Sequence, residues 1–424
     1  MNNILFKIKK MIPTKLFKKL QPFYHYCLAL LGAIIYRFPS RKIFIVGITG
    51  TKGKTSTAEL VSTILETAGY KTALAGTLRF KIGDKTENNK FKMTMPGRFF
   101  LQKFLKNTVK EKCDFVILEM TSEGTKQFRH KFIQLNSLIF TNLSPEHIES
   151  HGSYEKYREA KLKIAKVLEK SPKKRKVIIV NKDDKESSHF LKTKIKEKYE
   201  YSLTDAKPFE LKKSGLTLTF EGEKINSHLS GKFNIYNILA AATFAKSQNI
   251  GVTNIKKAIE NFKGIRGRVE RIEEGQDFTT IIDYAHTPDS LEKLYEAFSN
   301  SKRICVLGNT GGGRDQWKRK VMGSIASKYC SEIILTNEDP YDEDPKKIVE
   351  DMIEGIEKPI YKIIMDRKEA IQKAISSAQT GDTVLITGKG TDPYIMGPNN
   401  SKLEWDDATI AREIIINLSK NKNG

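Results

Sequence analysis

The sequence predicts an α/β protein: a P-loop-type central domain with a mostly parallel sheet, then a Rossmann-like α/β C-terminal domain. Three observations lead there. Short apolar runs alternate with helical patterns along most of the chain. Several of those runs end in polar residues, as strands do where a doubly wound sheet meets its ligand. A glycine-rich turn, Gly47 to Gly53, joins the first run to a helix.

The elements follow in order. Lys42 to Ile48 reads as a strand and Thr55 to Val61 as the start of a helix. Tyr70 to Leu78, Asp114 to Glu119, Ser137 to Asn142 and Lys176 to Asn181 read as further strands. Helical spacing marks Arg98–Lys110 and Tyr154–Lys170. Residues 200–230 alternate in short runs and suggest a small antiparallel excursion; Gly231 to Gln248 reads as a helix. Gly264 to Arg268 looks like a hinge. A second α/β unit follows, with strands near Thr279–Tyr284, Arg303–Leu307, Glu332–Thr336 and Thr383–Ile386. Ser419 to Gly424 is polar and expected to fray.

A chain of 424 residues exceeds what one core supports. We divide it into a basic and apolar helical segment (1–40), a central ATP-binding domain (41–264) and a C-terminal domain (265–424). The net charge is +23. No nucleic-acid motif accompanies it, so most of this excess reads as lysine spread over solvated faces, and nucleic acid is not expected as a partner. Cys27, Cys113, Cys305 and Cys330 form no C-x-x-C pair, which indicates neither a zinc ribbon nor a disulfide framework and suggests reduced cytosolic thiols.

The first forty or so residues stand apart, with Lys7, Lys9, Lys10, Lys15, Lys18 and Lys19 and no acid before Glu59. Tyr26 to Tyr36 is apolar but too short to span a bilayer, which takes about 20 residues. The pattern also fits a signal peptide, but a nucleotide loop follows at once and ATP is cytosolic, which argues against export. Two readings stand: an interfacial helix with lysines among the headgroups at the inner face of the membrane, or a helix packed on the protein's own body.

The glycine loop carries the first chemistry. Gly50, Thr51, Lys52, Gly53, Lys54, Thr55 and Ser56 read as a phosphate cradle, its backbone N–H groups facing oxygens without a Cβ in the way. Lys54 would reach the β- and γ-phosphates and the Thr55 hydroxyl would sit on Mg²⁺. The strict Walker spacing is missed, because Ile48 stands five before Gly53. Glu119 ends a strand, where a metal-binding carboxylate is useful.

With Glu119–Gly124, Thr141–His147 and Lys161 added, the chain resembles the Mur ligase family, and within it the muramyl-tripeptide synthetases, from about Arg41 to about Ile415. The family loop G-x-x-G-T-x-G-K-S/T matches Gly47 to Thr55. Its E-x-S-S-H-G segment is similar to Glu119–Gly124, with Thr121 for the first Ser and Glu123 for the His. T-N-L-x-x-D-H resembles Thr141 to His147, with Glu146 for Asp. The resemblance implies ATP and two Mg²⁺ ions, with Lys54, Glu119, His147 and Lys161 catalytic, and Thr55, Glu119, His147 and Lys161 at the metals. Lys161 falls where the family carries a carbamylated lysine. Asn142, Asn237, Arg268, Asp283 and His286 would bind the nucleotide. Thr94, Pro96, Ser122, Gln127 and Arg129 would face the acceptor, a UDP-N-acetylmuramoyl-dipeptide, with Arg129 clamping its carboxylate. The implied reaction forms an acyl-phosphate that an amine converts to an amide, with domain closure near Arg268.

The resemblance breaks in two places. Members place a substantial α/β domain before the loop, and here about forty residues precede it; we therefore expect the UDP-binding domain to be missing. Those residues would instead face a membrane and a lipid-linked acceptor, or dock a partner that supplies the domain. Second, enzymes adding diaminopimelate carry D-N-P-R, whereas here Glu338, Asp339, Pro340 and Tyr341 stand in line, and G-K-G-H-E becomes Gly388 to Asp392. Tyr341 cannot pair bidentately with a carboxylate. Arg314 would hold the α-carboxylate of the amino acid, and Glu338, Asp339 and Asp392 would favour a basic side chain. A folylpolyglutamate-synthetase-like ligase and a non-catalytic nucleotide scaffold are the competing readings.

Overall fold

The computed structural model describes residues 14–422, except Lys92, His147, Lys213 and Arg314, and describes no side chain for 14–19, 148–149 and 421–422. Two of the site residues expected above, His147 and Arg314, therefore lie outside the described residues.

The chain forms two compact units. The first takes the residues up to Glu146, then His151–Asp205 and Tyr236–Ala258; the second takes Ala206–Ile235 and the chain from Ile259 onward.

In the first unit, β1 (Phe44–Thr49) runs through the glycine loop into α2 (Lys54–Thr67), preceded by α1 (Thr14–Ile35). Then come β2 (Thr72–Ala75), β3 (Arg79–Ile82), β4 (Lys85–Asn88), α3 (Arg98–Lys110), β5 (Phe115–Glu119), the short α4 (Ser122–Lys126), β6 (Ser137–Phe140), α5 (Tyr154–Glu169), β7 (Val177–Asn181) and β8 (Glu197–Tyr201). They form an eight-stranded sheet ordered β4-β3-β2-β5-β1-β6-β7-β8. From β2 to β8 all neighbours are parallel; β3 and β4 add an antiparallel edge that the sequence reading did not find. The central strands β2, β5, β1, β6 and β7 are buried almost throughout because both faces are covered, whereas β3, β4 and β8 towards the edges carry charged, partly exposed residues. Helix α5 starts at Ser153, whose hydroxyl accepts from the Lys156 N–H. It buries Tyr157, Ala160, Lys161, Ile164, Ala165 and Leu168 on one face. One lysine thus sits within an apolar stripe.

Strands β9 (Glu210–Lys212), β10 (Gly215–Phe220) and β11 (Glu223–Ser227) form the expected antiparallel excursion. Helices α6 (Lys232–Ser247) and α7 (Val252–Asn261) follow. The sheet of the second unit is built from β12 (Glu270–Ile272), β13 (Thr279–Asp283), β14 (Arg303–Leu307), β15 (Glu332–Leu335), β16 (Tyr361–Ile363) and β17 (Thr383–Thr387), ordered β12-β13-β17-β14-β15-β16. Only β12 runs antiparallel. Side chains alternate across it: Cys305 and Leu307 enter the core on one face, Ile304 and Val306 that on the other. The covering helices include α8 (Pro288–Ala297), α9 (Lys318–Tyr329), α10 (Pro345–Ile353), α11 (Arg367–Ser377) and α12 (Asp407–Lys422). One expectation fails here. Cys305 on β14 and Cys330 after α9 are joined as a disulfide, so these thiols are not free; nothing in their spacing signalled it.

Candidate active site

In the first unit, the expected residues converge where β1, β5 and β6 end. Gly53 caps α2 with a positive φ, and a Cβ there would stand 2.3 Å from the Asn237 Oδ1. Only glycine lets Asn237 come this close. Lys54 folds back over its own loop and donates to the Gly50 and Thr51 carbonyls, both at 2.9 Å. Asn142 braces the loop from β6: its Oδ1 accepts from the Lys52 N–H at 2.8 Å and its Nδ2 donates to the Lys52 carbonyl at 3.1 Å. Lys52 itself points away from the cradle to Glu146, at 3.2 Å. The Thr51 hydroxyl meets the Tyr157 hydroxyl at 3.1 Å and Ser56 is buried in the first turn of α2.

The Thr55 hydroxyl donates to the Glu119 Oε2 at 3.0 Å. Thr77 closes the other side, with its N–H on Oε1 at 2.7 Å and its hydroxyl on Oε2 at 2.9 Å. Glu119 is 1% exposed. Burial pushes its pKa up, against the stabilising N–H of Thr77 and the nearby Lys54. A carboxylate so placed gains most from a cation beside it, so the Thr55 and Glu119 oxygens fit a divalent metal. Among the described residues no group of His, Cys, Asp and Glu large enough to hold a metal by itself is present.

Lys161 donates to the Gly50 carbonyl at 2.7 Å and lies over the Tyr157 ring at 4.9 Å. Burial first, then Lys54, drives its pKa well below the ordinary lysine value. The sequence reading missed Tyr157. Its position four residues before Lys161 puts both on one helix face, a signal that was there to use.

A second group adjoins the first through Thr77, whose hydroxyl meets that of Thr94 at 2.9 Å. Pro96 and Ser122 are buried. Arg129 donates to the Met95 carbonyl and to the Gln127 Oε1, the latter at 2.6 Å, while its Nε has no hydrogen-bond partner among the described residues. Thr77 was not legible in the sequence: it belongs to no motif and precedes the unread β3–β4 edge.

In the second unit, Arg268 stacks on the Tyr284 ring at 4.3 Å. Asp283, expected at a ribose, accepts from the Val269 N–H with Oδ2 and from the Ala285 N–H with Oδ1, both at 2.7 Å, which ties the segment before β12 to β13. The His286 Nδ1 meets the Tyr284 carbonyl at 2.9 Å. Beyond β15 and β17, Lys389 lies 2.9 Å from the Asp339 Oδ1 and 3.2 Å from the Asp392 Oδ2, and is itself 1% exposed by side chain. Burial works against its charge, but the two carboxylates prevail and raise its pKa. Of the three acids expected in the amino-acid pocket, Asp339 and Asp392 thus share one buried ammonium, while Glu338 has no ion pair with it. Glu338 keeps an Oε2 without a hydrogen-bond partner among the described residues, facing Gly388, while its Oε1 accepts from the Thr310 hydroxyl at 2.8 Å. Burial pushes its pKa up. Tyr341 adopts a left-handed φ of 54° beside Gly312. Lys389 was not singled out from sequence, since a lysine carries no mark of burial there.

Comparison with known proteins places the chain in a family. Residues 48–245 match the Mur ligase middle domain and residues 267–390 the Mur ligase, glutamate ligase domain. A UDP-N-acetylmuramoyl-L-alanyl-D-glutamate–2,6-diaminopimelate ligase of Syntrophomonas wolfei is 37% identical over 404 residues, 92% of this chain and 81% of that protein. A solved structure of a ligase of the same name superposes with a TM-score of 0.62 at 28% identity, covering 89% of this chain and 79% of that one. The folylpolyglutamate synthase of Mycobacterium tuberculosis complexed with ADP gives 0.72 at 14% identity, over 92% and 94%; that likeness concerns the fold alone.

Proposed function

The chain belongs to the Mur ligase family, and we propose that it is an ATP-dependent ligase of peptidoglycan synthesis, acting in the cytoplasm on a UDP-N-acetylmuramoyl-peptide acceptor and an amino acid. One observation carries the reading at residue level: Lys54, Thr55, Glu119 and Lys161 meet at a single glycine loop, with Thr55 on Glu119 and both lysines on the Gly50 carbonyl. A scaffold that merely held nucleotide would have no use for the buried Glu119 and Lys161, whose burial disfavours their charges.

The acceptor carboxylate attacks the γ-phosphorus of ATP; an O–P bond forms and ADP leaves. The amine of the amino acid then attacks the acyl carbon, phosphate leaves and the amine gives up a proton. In our assignment Lys54 exchanges the Gly50 and Thr51 carbonyls for phosphate oxygens and screens the two anions as they meet. Arg129, held by Met95 and Gln127, presents its guanidinium to the acceptor carboxylate. Thr55, Glu119, His147 and a carbamylated Lys161 are assigned to hold two Mg²⁺ ions, which when bound supply charge neutralisation at the transferring phosphoryl group. The depressed pKa of Lys161 supports the carbamate: a neutral amine can attack CO₂, forming an N–C bond and releasing a proton. Arg314 is assigned to the α-carboxylate of the amino acid, and Tyr341 stands where diaminopimelate enzymes place the arginine for a distal carboxylate. We assign 41–264 as the nucleotide domain and 265–424 as the amino-acid domain.

The test is phosphate release from ATP with UDP-N-acetylmuramoyl-L-alanyl-D-glutamate against single amino acids, including diaminopimelate, lysine and ornithine. Release with one of them, and a product heavier by that residue, is expected. Turnover with a tetrahydrofolate and glutamate instead would favour the folylpolyglutamate reading. ATP binding with no turnover for any pair would leave only a scaffold.

A further inference from the structure

Helix α1 packs on the first unit by one side only. Ala29 and Ala33 are buried, Gly32 faces Phe99, and Tyr26 sets its ring edge-on to Phe128 and Phe132 at 6.3 and 5.4 Å. This settles one expectation: the helix does pack on the protein's own body. Its outer side is not the polar face that such packing normally leaves. Leu20, Phe23, Tyr24, Leu31, Ile34 and Ile35 are all exposed there, Phe23 by 70% and Ile35 by 55%. They recur at helical spacing and so form one apolar stripe. The helix has 22 residues, about 33 Å at 1.5 Å per residue. Among the described residues no helix is long and apolar enough to cross a membrane.

The segment around the stripe is rich in cations. The sequence places Lys15, Lys18 and Lys19 in the first turns of α1, and Arg37, Arg41 and Lys42 just after its end; no acid occurs before Glu59. Arg37, Arg41 and Lys42 are exposed. A long apolar stripe followed by exposed cations, on a segment whose sequence carries lysines and no acid, matches a surface that is apolar within and anionic above. We propose that α1 lies in the interface of a bilayer containing anionic phospholipid, its stripe among the acyl chains and its flanking cations among the headgroups. An acidic protein would satisfy the cations, but would have to supply a groove running the whole length of a convex helix. Tyr26 rests on the segment that carries Gln127 and Arg129, so an attached helix brings those acceptor residues near the lipid surface.

The test is co-sedimentation of the full chain with vesicles of phosphatidylcholine alone or mixed with phosphatidylglycerol. Binding is expected to the mixed vesicles, weakened by salt and reduced about tenfold in the Leu31→Glu/Ile34→Glu variant. Phosphate release measured without vesicles should be the same for both proteins, so failure here leaves the ligase reading untouched. Equal binding by both proteins, no binding by the unsubstituted chain, or indifference to phosphatidylglycerol overturns the proposal. So does a dimer that the same substitutions dissociate, which assigns the stripe to a second copy. A readout without substitution uses Cys27, an exposed free thiol on α1, with Cys113 buried. An environment-sensitive fluorophore on it should brighten with mixed vesicles, and unchanged emission counts against the proposal.

Discussion

In the first unit Glu119 and Lys161 are buried beside hydroxyls, a backbone N–H and a carbonyl. In the second, Arg367 is buried against Asp407, at 2.7 Å, and Lys389 against Asp339. Burial drives the first pair towards neutrality; in the second pair it is outweighed by the opposite charge, and both pKa values rise. The difference separates two uses of a buried charge. Charges already matched within the fold hold strand ends in place. Charges held mainly by dipoles, with no ion pair of their own, are left to be completed by something that binds.

That contrast is open to direct attack. The largest effect belongs to Glu119→Gln, which keeps the shape and removes the charge. Phosphate release should fall about 10³-fold, as when a key electrostatic group is lost, while the melting temperature holds or rises. Lys161→Ala should lose turnover similarly and regain part of it with short-chain carboxylic acids in the assay; full activity in that variant would sink the carbamate. Arg367→Met should do the reverse of Glu119→Gln. Leaving Asp407 buried and unpaired should destabilise the protein by about 3 kcal/mol in urea unfolding. If instead Glu119→Gln unfolds the chain and Arg367→Met only slows it, the contrast is reversed.

A smaller effect concerns pH. His130, in the first unit, is 4% exposed, and its pKa is pushed down to about 4, chiefly by burial and then by Lys131. Between that value and the ordinary one near 6.5, the unfolded chain takes up a proton that the folded chain refuses. Stability is therefore full above about pH 6.5 and is lost as the pH falls towards 4, by about 3 kcal/mol for this one group. Denaturation curves between pH 7 and 4 should show it, and His130→Phe should flatten the slope. An unchanged slope would place the acid sensitivity elsewhere.

Much of this site was legible in advance, because its chemistry is local in sequence. The loop from Gly50 to Ser56, the strand ending at Glu119 and the helix carrying Lys161 each follow from a short pattern, and the α/β alternation brings their ends to one side of a sheet. What escaped lies in contacts between distant residues. Thr77 reaches Glu119 across 42 positions, Lys389 reaches Asp339 across 50, and Cys305 finds Cys330 because β14 and the end of α9 lie side by side. The lysine among the acids of the second unit escaped for the same reason: carboxylates can be counted in a sequence, but their counter-charges cannot be located there.

The sequence by itself determined the alternation of strands and helices, the glycine loop and the unusual balance of lysines at the start, since backbone conformation and hydrophobic periodicity act over neighbouring residues. Only the tertiary structure decided which charges are cancelled, which remain for a ligand, and which face of α1 is left open. Burial and Coulomb interaction depend on distance in space, and the order of residues along the chain does not set that distance until the sheets have formed.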